Sequence, residues 1–363
     1  MRILTESDIE ALAIGAAILG TGGGGSPYIA KLRCLQELRR GRRIALIGIE
    51  ELDDEARVLT IGGIGAPAVT IEKLSEGQEG TRVLRCLEEF TGHKVSALIA
   101  AEIGGGNALE PLLTAAATGL PVVDGDGMGR AFPEMQMTTF SIYGHRSTPA
   151  AIGDEHGNLV LFPHTVTEEH FERLARALVL AMGGNAIGAE APMTGRYVKR
   201  AAVPGTVSQS IRLGRTVLQA NREHVSAIPL ICAQEHGMHL IDAKIVDLKR
   251  HLRGGFSVGE IALEGIDAHA GSRARIVFQN EFLSFERNGC IEVCVPDMIV
   301  ILDVDTGHAI TTDVLRYGQR IAVLALPCHP LLRTPEALAV VGPRCFGLDA
   351  DYHPLPRPTG DRP

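Results

Sequence analysis

The sequence predicts a mixed α/β protein of more than one domain. An N-terminal α/β domain on a parallel or mixed sheet is followed by a β-rich C-terminal domain. Three observations predict this. Short apolar strands alternate with helical periods through the first 165 residues or so. Strand signals dominate from about Ile228 onward. The length of 363 residues, at about 150 residues per domain, implies two to three domains. The segments expected are 1–167, 168–355 and a loose, proline-rich tail at 356–363.

The elements follow in order. Thr5-Glu6-Ser7-Asp8 is close to a capping box, and Ile9, Leu12, Ala13, Ala16, Ala17 and Leu19 follow at helical spacing up to Gly20. After Gly22-Gly23-Gly24-Gly25, Ser26 reads as a cap and Pro27 as the first residue of a second helix to about Arg40. Apolar strands are expected at Ile44–Ile49 and Arg57–Gly62, the latter running into Gly63-Ile64-Gly65. A helix is expected at about Thr81 to Phe90 and a buried strand at Val95–Ala101. Glu102-Ile103-Gly104-Gly105-Gly106-Asn107 leads to a helix from Ala108 to about Thr118. Then comes a strand at Leu120–Val123, ending in the turn-like Asp124-Gly125-Asp126-Gly127. Such a strand–helix–strand unit implies parallel strands whose carboxyl ends face a ligand crevice. Ala150–Gly153 and Leu159–Phe162 read as a hairpin, Thr167 as the cap of a helix to about Met182, and Thr206–Ala220 as another helix. The remaining strands are expected at Met238–Val246, Ser257–Leu263, Arg273–Phe285, Ile291–Asp303 and Ile321–Leu326.

Composition narrows the function. There are 42 glycines in 363 residues, above the usual ~7%, without a collagen period. They therefore serve turns and close backbone approaches. Aromatics make up 4% with no Trp, which argues against a base-stacking surface. Lys+Arg 35 against Asp+Glu 43 gives a net charge of −8, so no nucleic-acid partner is expected. The basic run Arg39-Arg40-Gly41-Arg42-Arg43 reads as a helix end. Seven dispersed cysteines without a C-x-x-C pair suit a reducing, cytoplasmic setting. Glu6, Asp8 and Glu10 precede the first apolar stretch, against a secretory leader. No apolar run reaches the ~18 residues of a membrane span. The glycine loop lies between two helices rather than after a strand, and no Gly-Lys-Ser/Thr follows, so no nucleotide cofactor is expected.

Three strings carry a resemblance: Gly20 to Pro27, Gly65-Ala66-Pro67, and Val122 to Met137. Gln279-Asn280-Glu281, Pro296-Asp297, Leu315 to Gly318 and Val341 to Gly347 extend it over nearly the whole chain. The sequence resembles a bacterial family long called domain of unknown function 917 and now named for S-methyl thiohydantoin desulfurase. The resemblance implies two domains and chemistry on a hydantoin-type ring, with S-methyl thiohydantoin hydrolysed to a hydantoin and methanethiol. It also implies association with hydantoinase or oxoprolinase-type proteins, so a non-catalytic subunit is the alternative. A homo-oligomer acting on a small-molecule ring is expected.

Hydrolysis of a thioimidate carbon needs a base for water, donors to the ring and an acid for the leaving thiol. Asp124, Asp126 and Glu134 are the candidate catalytic carboxylates, and Asp124 with Asp126 are candidate ligands for a divalent metal. Asn107 and Gln136 offer amides to a ring C=O and N–H. Gly22, Gly23 and Gly24 offer backbone N–H groups at a helix start. Gln279 and Glu281 share one face of an expected strand, and Glu102 ends a buried one. Plainer readings stand beside these: Asp-Gly-Asp-Gly as turn chemistry, Glu134 as a loop ion pair, Asn107 as a helix cap. His239 and Asp242 have opposite strand parity and are read as structural, as is Cys328-His329.

Overall fold

The computed structural model describes residues 1–65, 69 and 73–355. Ala66 and Pro67 of the second string and the tail 356–363 lie outside the described residues. The chain forms a mixed α/β structure with two sheets. The first has the order β1 (Arg2–Ile3), β2 (Ala45–Ile47), β5 (Val122–Asp126), β4 (Ala97–Ala100), β3 (Arg57–Gly65), β8 (Asn185–Ala189), β6 (Ala150–Gly153), β7 (Leu159–Phe162). Strands β2, β5, β4 and β3 run parallel to one another, as short helical crossovers require. Beyond β3 the pairing turns antiparallel, with β8 on its Gly62–Gly65 half and β6–β7 as a hairpin. Short strands β9 (Met193–Thr194) and β10 (Val203–Pro204) add to β3 and β5.

Helix α1 (Glu6–Leu19) starts on the expected capping box at Thr5 and stops at Gly20. Its buried Ile9, Leu12, Ala16 and Leu19 join the main core, each large side chain contributing about 1.5–3 kcal/mol by leaving water. α1 crosses the helix Thr206–Glu223 at backbone contact. A Cβ on Gly15 would lie 1.8 Å from the Ser210 carbonyl oxygen, and one on Gly214 1.8 Å from that of Ala11. Helix α2 (Tyr28–Arg39) begins one residue later than expected, with Pro27 as its N-cap.

The second sheet is antiparallel and curled, in the order β15 (Cys290–Cys294), β14 (Glu281–Arg287), β13 (Arg273–Gln279), β12 (Phe256–Gly265), β11 (Met238–Arg253), β17 (Arg320–Leu326), β16 (Met298–Asp303). Its apolar face includes Ile241, Ile261, Ile276, Phe278 and Phe285. The Val295 N–H donates to the Leu283 carbonyl at 2.9 Å, bringing the β15–β16 connection back to β14.

Four expectations are corrected. The single strand Arg273–Phe285 is a hairpin broken at Asn280, whose φ is +57°. Asn tolerates this conformation, and its Oδ1 accepts the Ser257 N–H at 2.9 Å. The strand Ile291–Asp303 is likewise two strands, β15 and β16. Residues Ala227–Gln234 form a helix capped by Ser226, where a short apolar run cannot by itself distinguish helix from strand. Asp124 and Asp126 lie within β5 rather than in a turn after it. No helix among the described residues is long and apolar enough to cross a membrane.

Candidate functional site

A cavity of ≈ 190 Å³ opens beside the carboxyl ends of β3 and β4, where ligands of open α/β sheets bind. Gly62 and Gly63 of β3 leave its wall free of side chains there. The glycine loops at 20–25 and 104–106 meet next to it. The Gly106 N–H donates to the Gly24 carbonyl at 2.9 Å, and a Cβ on Gly24, at φ +72°, would strike the Gly104 backbone.

Several buried carboxylates line this cavity, among them Glu102 and Glu281 from the two halves of the chain. Glu102 follows β4; it accepts from Asn107 Nδ2 at 2.6 Å and from the Phe132 N–H at 3.3 Å. Burial pushes its carboxyl up to about 7 against those hydrogen bonds, with Asp126 adding to the push. Glu281 opens β14, aimed by the left-handed Asn280 at the hairpin tip. Burial, then the charge of Glu102, raises its carboxyl well above the ordinary range, while Arg130 and the Gly24 N–H oppose the shift. Its Oε2 is buried and has no hydrogen-bond partner among the described residues. A Cβ on Gly23 would lie 1.8 Å from Glu281 Oε1, so the glycine loop is the bed in which this carboxyl lies.

Behind the pair sits Arg130, fully buried. Its Nε donates to the Ala131 carbonyl at 3.0 Å, Nη1 to the Pro296 and Asp297 carbonyls at 3.2 and 2.9 Å, and Nη2 to Thr21 Oγ1 and the Phe282 carbonyl at 2.8 and 3.2 Å. None of these acceptors is a carboxylate. The negative charges nearest in effect include Glu281, Asp297 and Glu102. Burial lowers this guanidinium to about 10 against them, so it remains cationic at neutral pH.

Glu134, half-buried, also lines the cavity and accepts from Gln136 Nε2; burial raises its carboxyl. Asn107 lines it too, but both ends of its amide are engaged, Oδ1 accepting the Gly63 N–H at 2.7 Å. It braces β3 against Glu102 and does not cap the helix Glu110–Thr118.

The structure places other sequence candidates away from the cavity wall. Asp124 accepts the Ser208 N–H at 3.0 Å and its hydroxyl at 2.5 Å. It thereby caps the helix Thr206–Glu223, whose N-cap, Gly205, has no side chain to do so. Asp126 is buried and accepts the N–H groups of Ile103, Met128 and Gly129 at 2.9–3.0 Å, tying two glycine loops together. Among the described residues no group of three or more His, Cys, Asp or Glu is arranged to hold a metal ion. The donor sets of Asp124 and Asp126, filled by protein N–H and O–H groups, do not fit one. Gly22 packs on the Phe282 ring, Gln136 serves Glu134, and Gln279 pairs across the hairpin with Glu281; of the three glycines, only Gly24 lines the cavity. His239 and Asp242, expected on opposite faces, meet at 2.9 Å because a β-bulge between His239 and Ile241 shifts the parity. Cys328 is buried with its thiol pushed up to about 12, and the His329 ring accepts the Leu331 N–H instead of facing it.

One consequence is a prediction. Asp124→Ala should cost about 0.5–2 kcal/mol by uncapping the helix, with ligand binding in the cavity unchanged. Chemical denaturation and titration of the same sample check both halves.

Sequence reasoning missed Glu190 and gave Arg130 no role. Glu190 has the same signal as Glu102, a lone carboxylate directly after an apolar strand.

The chain was compared with known proteins. Residues 7–164 match the family model described as S-Me-THD-like, N-terminal domain, and residues 166–355 match S-Me-THD-like, C-terminal domain. A crystal structure of a protein from Chromobacterium violaceum is similar, with a TM-score of 0.79 and 24% identity over 98% of this chain and 100% of that one. That likeness shows the fold. No curated protein matches the chain.

Proposed function

Because the chain belongs to the S-Me-THD-like family over nearly all its length, we propose that its cavity binds a hydantoin-type ring and hydrolyses an S-methyl thiohydantoin. The observation that carries the reading is the Glu102–Glu281 pair. Two buried carboxyls in one cavity cannot both ionise at little cost, so one keeps a proton while the other gives it up. Hydrogen bonds from Asn107 and Phe132 favour the charged form of Glu102. Glu281, with an unpartnered oxygen, is the better holder of the proton.

That division suits the chemistry. Water adds to the ring carbon bearing sulfur as Glu102 takes one of its protons and Glu281 gives its own to the ring nitrogen. The tetrahedral carbon then re-forms a C=O bond, returning the hydroxyl proton to Glu281. The C–S bond breaks, and the sulfur leaves as methanethiol with the proton held by Glu102. One water is consumed and the pair ends with the single proton it began with.

The test is an assay of the purified protein on S-methyl thiohydantoins, reading free thiol and ring absorbance together. One thiol released per ring converted is expected. A ring that binds and is recovered unchanged would move the assignment to a non-catalytic ligand-binding subunit.

A further inference from the structure

Another buried carboxylate lines the same cavity from the other flank of β3. Glu190 follows β8, and its backbone N–H donates to the Thr60 hydroxyl of β3 at 3.2 Å. Glu102 follows β4, which pairs with β3 on its opposite edge. With neighbouring strands ~4.8 Å apart, β4 and β8 are separated by about 10 Å, and the Gly62–Gly63 stretch lies between them.

Glu190 is 6% exposed. The Ser147 side chain hydrogen-bonds its carboxyl, and among the described residues the charges that bear on it are Glu168 and Glu172, both negative. The nearby basic side chains are already engaged. Lys73 Nζ lies 2.7 Å from Glu155 and donates to the Asn185 carbonyl at 2.8 Å. Arg176 Nε lies 2.5 Å from Glu172 and its Nη2 donates to the Pro133 carbonyl at 3.2 Å. An unmatched buried carboxylate is costly. In the same cavity the buried Glu281 Oε2 has no partner among the described residues, so two walls present carboxyl groups to whatever fills the space.

We propose that Glu190 reads an N–H group of the ligand, so that the cavity selects rings or small cations bringing a hydrogen-bond donor to the β8 side and rejects the same ring alkylated there. For a ring ligand this rests on the cavity being the ring-binding site and adds to that reading a rule of substrate choice. An S-methyl thiohydantoin keeps one ring N–H, on the nitrogen other than the one Glu281 protonates, which suits a proton donor at Glu281 and an acceptor at Glu190.

The probes are hydantoin, its two N-methyl derivatives and guanidinium, titrated calorimetrically into the wild-type protein and into Glu190→Met and Glu190→Gln. Hydantoin is expected to bind at least about tenfold more tightly than one N-methyl isomer, since a lost hydrogen bond to a charged group is worth about 1.5–3 kcal/mol. Glu190→Met should erase that preference. Should this variant fail to fold, the shape-conserving Glu190→Gln must lose guanidinium binding. Equal binding of both isomers and hydantoin, or a preference that survives at Glu190→Met, overturns the proposal while leaving ring hydrolysis standing. Guanidinium binding that depends on Glu190, with no ring bound, keeps the proposal and sinks ring hydrolysis. If neither ring nor guanidinium binds, Glu190 has no such role.

Discussion

Glu281→Gln is expected to slow thiol release from an S-methyl thiohydantoin by about 10²–10⁴-fold, the usual loss when a positioned acid is removed. The side chain keeps its shape, so the hairpin tip and the glycine loop should stay in place. The pH profile separates this from a packing effect. The proposed mechanism requires one proton on the Glu102–Glu281 pair. As pH falls, Glu102, already pushed up to about 7 by burial, gains a proton and the base is lost. As pH rises, Glu281 loses its proton and the acid is lost. The profile is therefore a bell whose limbs belong to the pair. In Glu281→Gln the alkaline limb should vanish while the acid limb remains. Glu102→Gln should do the reverse. Wild-type rates in Glu281→Gln would remove it from the mechanism.

Arg130→Met should produce the largest loss of stability, at least about 3 kcal/mol. The guanidinium satisfies four carbonyls and the Thr21 hydroxyl in a buried space. Methionine fills some of the volume but leaves those acceptors unpaired, and each costs about 1–3 kcal/mol. It also removes the cation that partly offsets the pair's negative charge, so the alkaline limb should move upward in whatever fraction remains folded. Arg130→Lys keeps the charge but has too few donors for all five acceptors, so it should recover the position of the limb but not all of the stability. Urea unfolding and the thiol-release profile measure the two effects. An unfolding midpoint equal to wild type would show that the five acceptors are not held by this side chain.

Much of the fold was legible because glycine and capping residues mark element ends. Thr5, Gly20 and Thr167 act as read. The parallel pairing of β4 and β5 also follows from the short crossover. Strand breaks in the second half were not legible. A single Asn at positive φ, or a short turn such as 295–297, interrupts an apolar run without altering its hydropathy. The cavity's carboxylates were partly legible. Glu102 and Glu281 stood out as acids in apolar surroundings, and Glu134 as a loop acid. Asp124 and Asp126 stood out for the wrong reason, since an acid flanked by glycines serves equally well to collect backbone N–H groups. Glu190 carries the same sequence signal as Glu102, but what makes it unusual, that the charges bearing on it are both negative, is a property of three-dimensional neighbours.

The bed of Glu281 has an evolutionary consequence. Its carboxyl comes from the second sheet and lies where any side chain at position 23 would have to stand. The two halves of the chain are thus matched at this carboxyl as a key is to its lock. A graft of one relative's second half onto another's first would bring a proton donor only where the recipient keeps its glycine. On the proposed reading of Glu190, ligand preference drifts through that residue and its surroundings, in the first sheet, while the match at position 23 is inherited whole.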